Sequence, residues 1–364
     1  MDSAALVAVA VVAVRALVPL AVFRWPLPAL LASFVADALD QTVFQAFGDV
    51  PADYEAYDKA MDTYYLALAY LAALRNWTSV PAVRIAGFLF FYRLAGVVAY
   101  ELAGRAILLL VFPNTFEYFF VAYEVVRLRW RPELVRGRWW LLTAAVLWVL
   151  VKLPQEWWIH VARLDTTTFV SDHPGWGWSA LAALPVAAAA TWLVLRRHVP
   201  PPDHGWRLVA DAPPAEVDET SEQSEWIARH VSLWSWSTLE KVCLVTMLVV
   251  VYGQVVPGTD ATEPQLFLGS LLVAVGNVAV VLVAARHRWM PRSLWRVVLG
   301  RLALNALLVA VVDGLASAFG VVVDPGHALV FLALITVVGT AHDHVVPIRA
   351  RRDHQARSRA DAGW

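Results

Sequence analysis

The stretch WWLLTAAVLWVLVKLPQEWW, residues 139–158, decides what kind of protein this is. A tryptophan pair stands at each end, and the interval is apolar until Lys152. From Trp140 to Trp158 a helix rises about 27 Å, close to the ~30 Å hydrocarbon thickness of a bilayer. Indole rings prefer the two membrane interfaces. The stretch therefore reads as a helix that crosses a membrane, held at both surfaces by its tryptophans.

Working outward, ten more apolar runs of similar length follow the same rule. The expected spans are 3–23, 27–47, 58–76, 82–102, 105–126, 139–160, 176–195, 236–257, 264–285, 294–319 and 326–346. The chain has 364 residues, 59% of them hydrophobic, and a mean hydropathy of +0.57. Lipid offers no partner for unpaired backbone groups, and the runs are too long and too uniformly apolar for a barrel. The fold class expected is all-α: a polytopic integral membrane helix bundle with about eleven transmembrane helices. Gly104 is the only turn signal between the fourth and fifth runs.

Arginine placement sets the expected orientation. Basic residues are almost all arginine, with only Lys59, Lys152 and Lys241 as lysine, a bias typical of GC-rich bacterial genomes. Arg127, Arg129, Arg131, Arg136 and Arg138 follow the fifth span, and Arg196 and Arg197 the seventh. Arg286, Arg288 and Arg292 follow the ninth, and Arg349, Arg351, Arg352, Arg357 and Arg359 the eleventh. Odd-numbered helices thus end on the basic side, which puts the N-terminus outside and the C-terminus in the cytoplasm of a cell (inner) membrane. The N-terminal Met1-Asp2-Ser3 lacks a basic region, so the first run reads as a retained helix rather than a signal peptide.

Four regions follow. Residues 1–195 form a seven-helix membrane region, and residues 196–235 an acidic, proline-rich cytoplasmic linker. Residues 236–348 form a four-helix membrane region, and residues 349–364 a basic tail. The linker holds Pro200, Pro201, Pro202, Pro213 and Pro214 with Glu216, Asp218, Glu219, Glu222 and Glu225. Its composition predicts a weakly ordered, solvated spacer, with partner binding through 196–235 as the alternative. No repeat between the two membrane regions is visible.

Net charge is −1, which gives no bias toward nucleic acid. One cysteine, Cys243, excludes an internal disulfide and a cysteine metal cage and reads as a small core residue. No P-loop, G-x-S-x-G, HExxH or dinucleotide fingerprint is present.

Ionisable groups inside a membrane are costly and mark function or an internal ion pair. Asp37, Asp40 and Gln41 share a face of the second span; Asp58, Asp62 and Tyr65 share a face at the start of the third. Arg93 and Glu101 follow in the fourth, and Arg105, Asn114, Glu117, Tyr118 and Glu124 in the fifth. Lys152, Gln155, Glu156 and His160 make the densest patch, in the sixth, where Pro154 weakens the helix. Folding the first two spans about Pro26 brings Arg15 level with Asp37, as an ion pair. Folding the next pair brings Asp40 near Asp62, and folding the fourth on the fifth brings Arg93 near Asn114 and Glu117. Lys152 and Glu156 have the spacing of an intrahelical ion pair. In the second half, Arg301 and Asn305 share a face, and Asn277 and Asp313 are further hydrogen-bonding candidates. His342 and His344 point to different sides, which argues against a metal site there.

The aspartate spacing of Asp37, Asp40, Asp58 and Asp62 resembles that of CDP-alcohol phosphotransferases, whose motif is D-x-x-D-G-x-x-A-R, a short interval, then G-x-x-x-D-x-x-x-D. That resemblance implies a metal held by four aspartates between two helices. The match covers 26 residues (37–62), and the rest departs. Gln41 and Tyr54 replace the family's glycines, and Phe44-Gln45 replace Ala-Arg. These changes put nucleotide binding in doubt, and the family's cytoplasmic site conflicts with the outward placement read here.

Carboxylates gathered together need a cation or protons. The expectation is an outward acidic pocket with Asp37, Asp40, Asp58, Asp62 and Glu101 as ligands to a divalent cation (Mg, Mn or Ca). Asp40, Asp62, Glu156 and His160 are the candidate catalytic groups; Arg93, Arg105, Lys152 and Tyr65 would hold substrate. Membrane lipids are the expected partners. A membrane-embedded enzyme acting on a lipid or lipid-linked substrate is favoured, with a proton- or cation-coupled transporter and a non-catalytic scaffold as alternatives.

Overall fold

The computed structural model describes residues 3–47, 54–105, 107–157, 200–232, 234–253, 294–317 and 325–361, with isolated positions elsewhere. The expected spans at 176–195 and 264–285, and His160, lie outside this set. Every described element is helical. α1 (Ser3–Leu17) runs into a 3-10 turn (Val18–Phe23) ahead of α2 (Pro26–Phe47). α3 (Tyr54–Asn76) and α4 (Val80–Ala103) follow. Next come α5 (Ile107–Val111), α6 (Thr115–Arg127), α7 (Gly137–Val146), a π turn (Leu147–Lys152) and α8 (Leu153–Glu156). α9 (Thr220–His230), α10 (Trp236–Gly253), α11 (Leu294–Ser317) and α12 (Pro325–Asp361) complete the set.

Among the described residues, six helical segments are long and apolar enough to cross a membrane: Leu6–Phe23, Pro26–Phe47, Val80–Ala103, Ile107–Arg127, Trp236–Gly253 and Val330–Ser358. The chain is thus a helical protein built for a membrane. The third expected span, α3, is not among the six. Leu6, Val9, Leu31, Val35, Leu39, Leu141, Leu142 and Leu150 point outward. An apolar exterior over a core containing charges is the arrangement that lipid favours.

α3 is the inverse of its neighbours. From Ala60 to Trp77 every residue is buried except Asp62 and Arg75, which are half-buried. α1, α2, α4, α6, α10 and α12 all pack on it. Ala60, Ala67, Ala69, Ala72 and Ala73 let those helices approach closely. Its phenols then bond outward, Tyr64 to the Ala16 carbonyl at 3.1 Å and Tyr70 to Glu240.

Gly104 turns the chain as its position suggests, with φ +63° and its N–H on the Tyr100 carbonyl at 2.8 Å. The expected helix 105–126 is not continuous, because Pro113 cannot donate to the ladder and the chain breaks before Asn114. The break leaves carbonyls without helical partners. α4 supplies donors instead: Tyr92 to Val111 O at 2.9 Å and Arg93 to Phe112 O at 3.0 Å. Gly96 makes this approach feasible, since a Cβ there would lie 2.1 Å from that of Phe112.

Two further expectations change. Cys243 is exposed on α10 rather than in the core. Residues 200–232 are ordered, against the weak order expected from composition. Asp203 N bonds to Arg129 O at 3.0 Å, Arg207 N to Leu128 O at 3.1 Å and Ala210 N to Arg24 O at 2.8 Å. Arg127 and Arg352 hold the carbonyls of Val209 and Ala212, each at 3.0 Å. A capping box between Glu219 and Glu222 then starts α9. The segment is a strap laid across arginine-bearing ends of α6 and α12.

Candidate functional site

The site begins with two helix faces that carry paired carboxylates. On α2, Asp37 and Asp40 are one turn apart; on α3, Asp58 and Asp62 are one turn apart. α1 brings Arg15 between them, buried to 4% exposure. Each terminal nitrogen of Arg15 joins the two helices. Nη1 donates to Asp40 and to Asp58 at 2.8 Å; Nη2 donates to Asp37 and to Asp62 at 2.8 Å. The Tyr54 phenol donates to the other oxygen of Asp40, and the Tyr57 ring lies under the guanidinium at 5.8 Å.

One guanidinium facing four carboxylates leaves a formal charge of −4 + 1 = −3 when all are ionised. Asp40 is fully enclosed, with its side chain 1% exposed. Asp37, Asp58 and Asp62 keep 33%, 34% and 32% exposure, so the cluster opens to its surroundings on one side. Oxygens of Asp37, Asp40 and Asp58 lie within 4.8 Å of one another. Opposite ligands of a calcium-sized ion stand about 4.6–5.2 Å apart, so one hard cation fits that spacing and that all-oxygen donor set.

One turn along, Phe34 and Tyr65 form an edge-to-face pair at 6.1 Å. Beyond it the Tyr65 phenol donates to Glu117 at 3.0 Å. Glu117 also takes Asn114 Nδ2 at 2.7 Å and Lys152 Nζ at 2.9 Å. The π turn explains how Lys152 gets there. Pro154 has no N–H and crowds the preceding turn, which widens and presents Lys152 inward over the Tyr118 ring at 4.4 Å.

The structure therefore brings together Asp37, Asp40, Asp58 and Asp62, with Tyr65 and Lys152 in an adjoining polar track. The expected Arg15–Asp37 pair is present, but it is one arm of a four-armed contact. Arg93 reaches the Phe112 carbonyl rather than Glu117. Lys152 pairs with Glu117 on α6, so it bridges two helices instead of acting only within its own. Glu156 is buried on α8, whereas Arg105 is exposed at the turn after α4. Glu101 stands near the end of α4 and does not belong to the group of carboxylates with metal-binding spacing among the described residues. Arg15 was expected only as the partner of Asp37, Glu117 only near Arg93, and Tyr54 not in the site at all. The equal distances of Arg15 and Asp37 from Pro26 were the available signal for the first.

The fold and the site define a helical membrane protein with a buried, partly open acidic centre. Family models, curated proteins and solved structures offer no match to the chain.

Proposed function

We propose that this chain is a membrane-embedded enzyme whose Asp37, Asp40, Asp58 and Asp62 hold a divalent cation for chemistry on the phosphate of a lipid or lipid-linked substrate. The observation that carries the reading is the convergence of carboxylate oxygens from α2 and α3 within 4.8 Å, on a side that stays partly open. A bound divalent cation would reduce the local charge from −3 to −1 and polarise a phosphoryl oxygen. Arg15, fixed by four carboxylates, would hold the ligands in place. The aspartate spacing shared with CDP-alcohol phosphotransferases supports phosphate chemistry. Tyr54 and Phe44, large where that family is small, argue against its nucleotide. Lys152, Tyr65 and Glu117 are placed to hold or protonate a group one turn further in.

The same reading carries the finer topology. About eleven crossings, an outer N-terminus and cytoplasmic arginine-rich ends would open the centre toward the outer leaflet of a cell membrane. A second reading is a proton- or cation-coupled transporter. The continuation of the polar groups from Asp62 through Tyr65 to Glu117 and Lys152 favours it.

The deciding experiment is Mn²⁺ binding to purified protein, followed by electron paramagnetic resonance, in wild type, Asp40→Asn and Asp58→Asn. Saturable binding lost in both variants supports the centre, and turnover of a phospholipid by the loaded protein supports the enzyme. Binding that survives both substitutions, or none in the wild type, overturns the proposal. Metal binding with cation uptake into proteoliposomes and no lipid turnover selects the transporter.

A further inference from the structure

A second charged centre lies among α10, α11 and α12, apart from the aspartates. Asp343 Oδ2 takes Lys241 Nζ at 2.7 Å and Arg301 Nη1 at 2.6 Å. Lys241 and Arg301 are 4% and 7% exposed. Lys241 lies within one membrane-length apolar segment and Asp343 within another. Two cations meet one carboxylate, so the triad carries a formal +1. Glu240, the neighbouring acid on α10, turns to Tyr70 instead.

A buried uncompensated charge is unfavourable in low dielectric. The guanidinium cannot shed its proton, and Lys241 Nζ donates to the same carboxylate oxygen at 2.7 Å. A small anion would balance the centre. His342 gives an independent indication. It is 1% exposed, its Nδ1 points to the triad at 4.0 Å from Asp343 Oδ1, and neither ring nitrogen has a hydrogen-bond partner. A neutral imidazole always carries one N–H, and a buried donor without an acceptor is rare. Gly339 lies beside the lysine, with Lys241 Cε 3.8 Å from where its Cβ would stand, an ordinary van der Waals distance.

We propose that Lys241, Arg301 and His342 form a binding site for a small inorganic monovalent anion, a site separate from the aspartate centre. Charge selects the ligand: one negative charge cancels the triad's excess, and a dianion would overcompensate it. The anion would bind the two cations on the side away from Asp343 and accept the imidazole N–H.

The test uses chloride as the probe. Apparent unfolding temperature of the whole protein in detergent is followed by tryptophan fluorescence while sodium gluconate is exchanged for sodium chloride at constant ionic strength. A saturable rise is expected in the wild type. Lys241→Met, which leaves a neutral Arg301–Asp343 pair, should lose the chloride effect while still folding. Asp343→Asn removes the competing negative charge and should lower the chloride concentration for half-effect roughly tenfold or more. No saturable chloride effect in the wild type overturns the site, as does an unchanged effect in Lys241→Met. Should Asp343→Asn fail to fold, the wild type and Lys241→Met still decide. Mn²⁺ binding at the aspartates is scored separately, so either site can fail alone.

Discussion

Replacing Arg15 with methionine removes the cation that touches all four aspartates while keeping most of the apolar stem. Asp40 sets the size of the effect, because its side chain is 1% exposed and that of Arg15 is 3%. Removing one partner of a buried pair costs roughly 3–5 kcal/mol. The contacts to Asp37, Asp58 and Asp62 involve carboxylates about one-third exposed, and after solvent screening each adds no more than about 1 kcal/mol. At about 2–4 °C per kcal/mol, the metal-free variant should unfold roughly 10 °C below wild type. The assay is apparent unfolding temperature in detergent, with chelator and then with Mn²⁺. Four carboxylates without a guanidinium are a stronger cation trap than four with one. Mn²⁺ should therefore raise the variant by more than it raises the wild type. An Arg15→Met protein as stable as wild type in chelator would refute the hub. A variant destabilised in chelator but no better rescued by Mn²⁺ would refute the metal site and leave Arg15 as a packing device.

Two other substitutions test how the site is framed. Gly96→Ala should destabilise the protein by about 1–3 kcal/mol, because the new Cβ would sit 2.1 Å from Phe112 Cβ. Phe112→Ala in the same chain should recover part of that loss in apparent unfolding temperature, and a purely additive result would show that the two do not meet. Arg127→Ala removes the grip on Val209 O and the ion pair with Glu124. Trypsin should then cut at Arg207 several-fold faster, measured by mass spectrometry of timed digests; equal rates would mean that the strap is held elsewhere.

What could be read from the chain follows from the reach of each signal. The apolar runs located every long described helix, and Gly104 located a turn, because both are local features. The levels of Arg15 and Asp37 followed from helix rise and one proline. The convergence of both aspartate pairs on that guanidinium did not, since it depends on the rotation of α1 against α2 and α3 together. The strap was misjudged for a different reason. Proline and acidic residues report how little apolar surface 200–232 can bury, but this segment is fixed largely through backbone N–H and carbonyl groups, which composition does not register. Cys243 shows the membrane's own ambiguity: an apolar run says that a residue avoids water, and both core and lipid satisfy that.

The burial of α3 has a consequence for the order in which the protein is made. Its partners include α10 and α12, and two ties, one on α3 and one just after its end, join residues 170 and 272 positions apart, Tyr70 with Glu240 and Trp77 O with Arg349. When α3 is first made those helices have not been synthesised. It carries Lys59, Asp62 and Arg75 into a place where only α1, α2 and the nearest followers can shield it. The central helix is thus the third one made and among the last to be enclosed. Assembly must hold a polar-ended segment in waiting until the C-terminal helices close around it, so a chain cut short after the strap should be cleared by the cell before it accumulates.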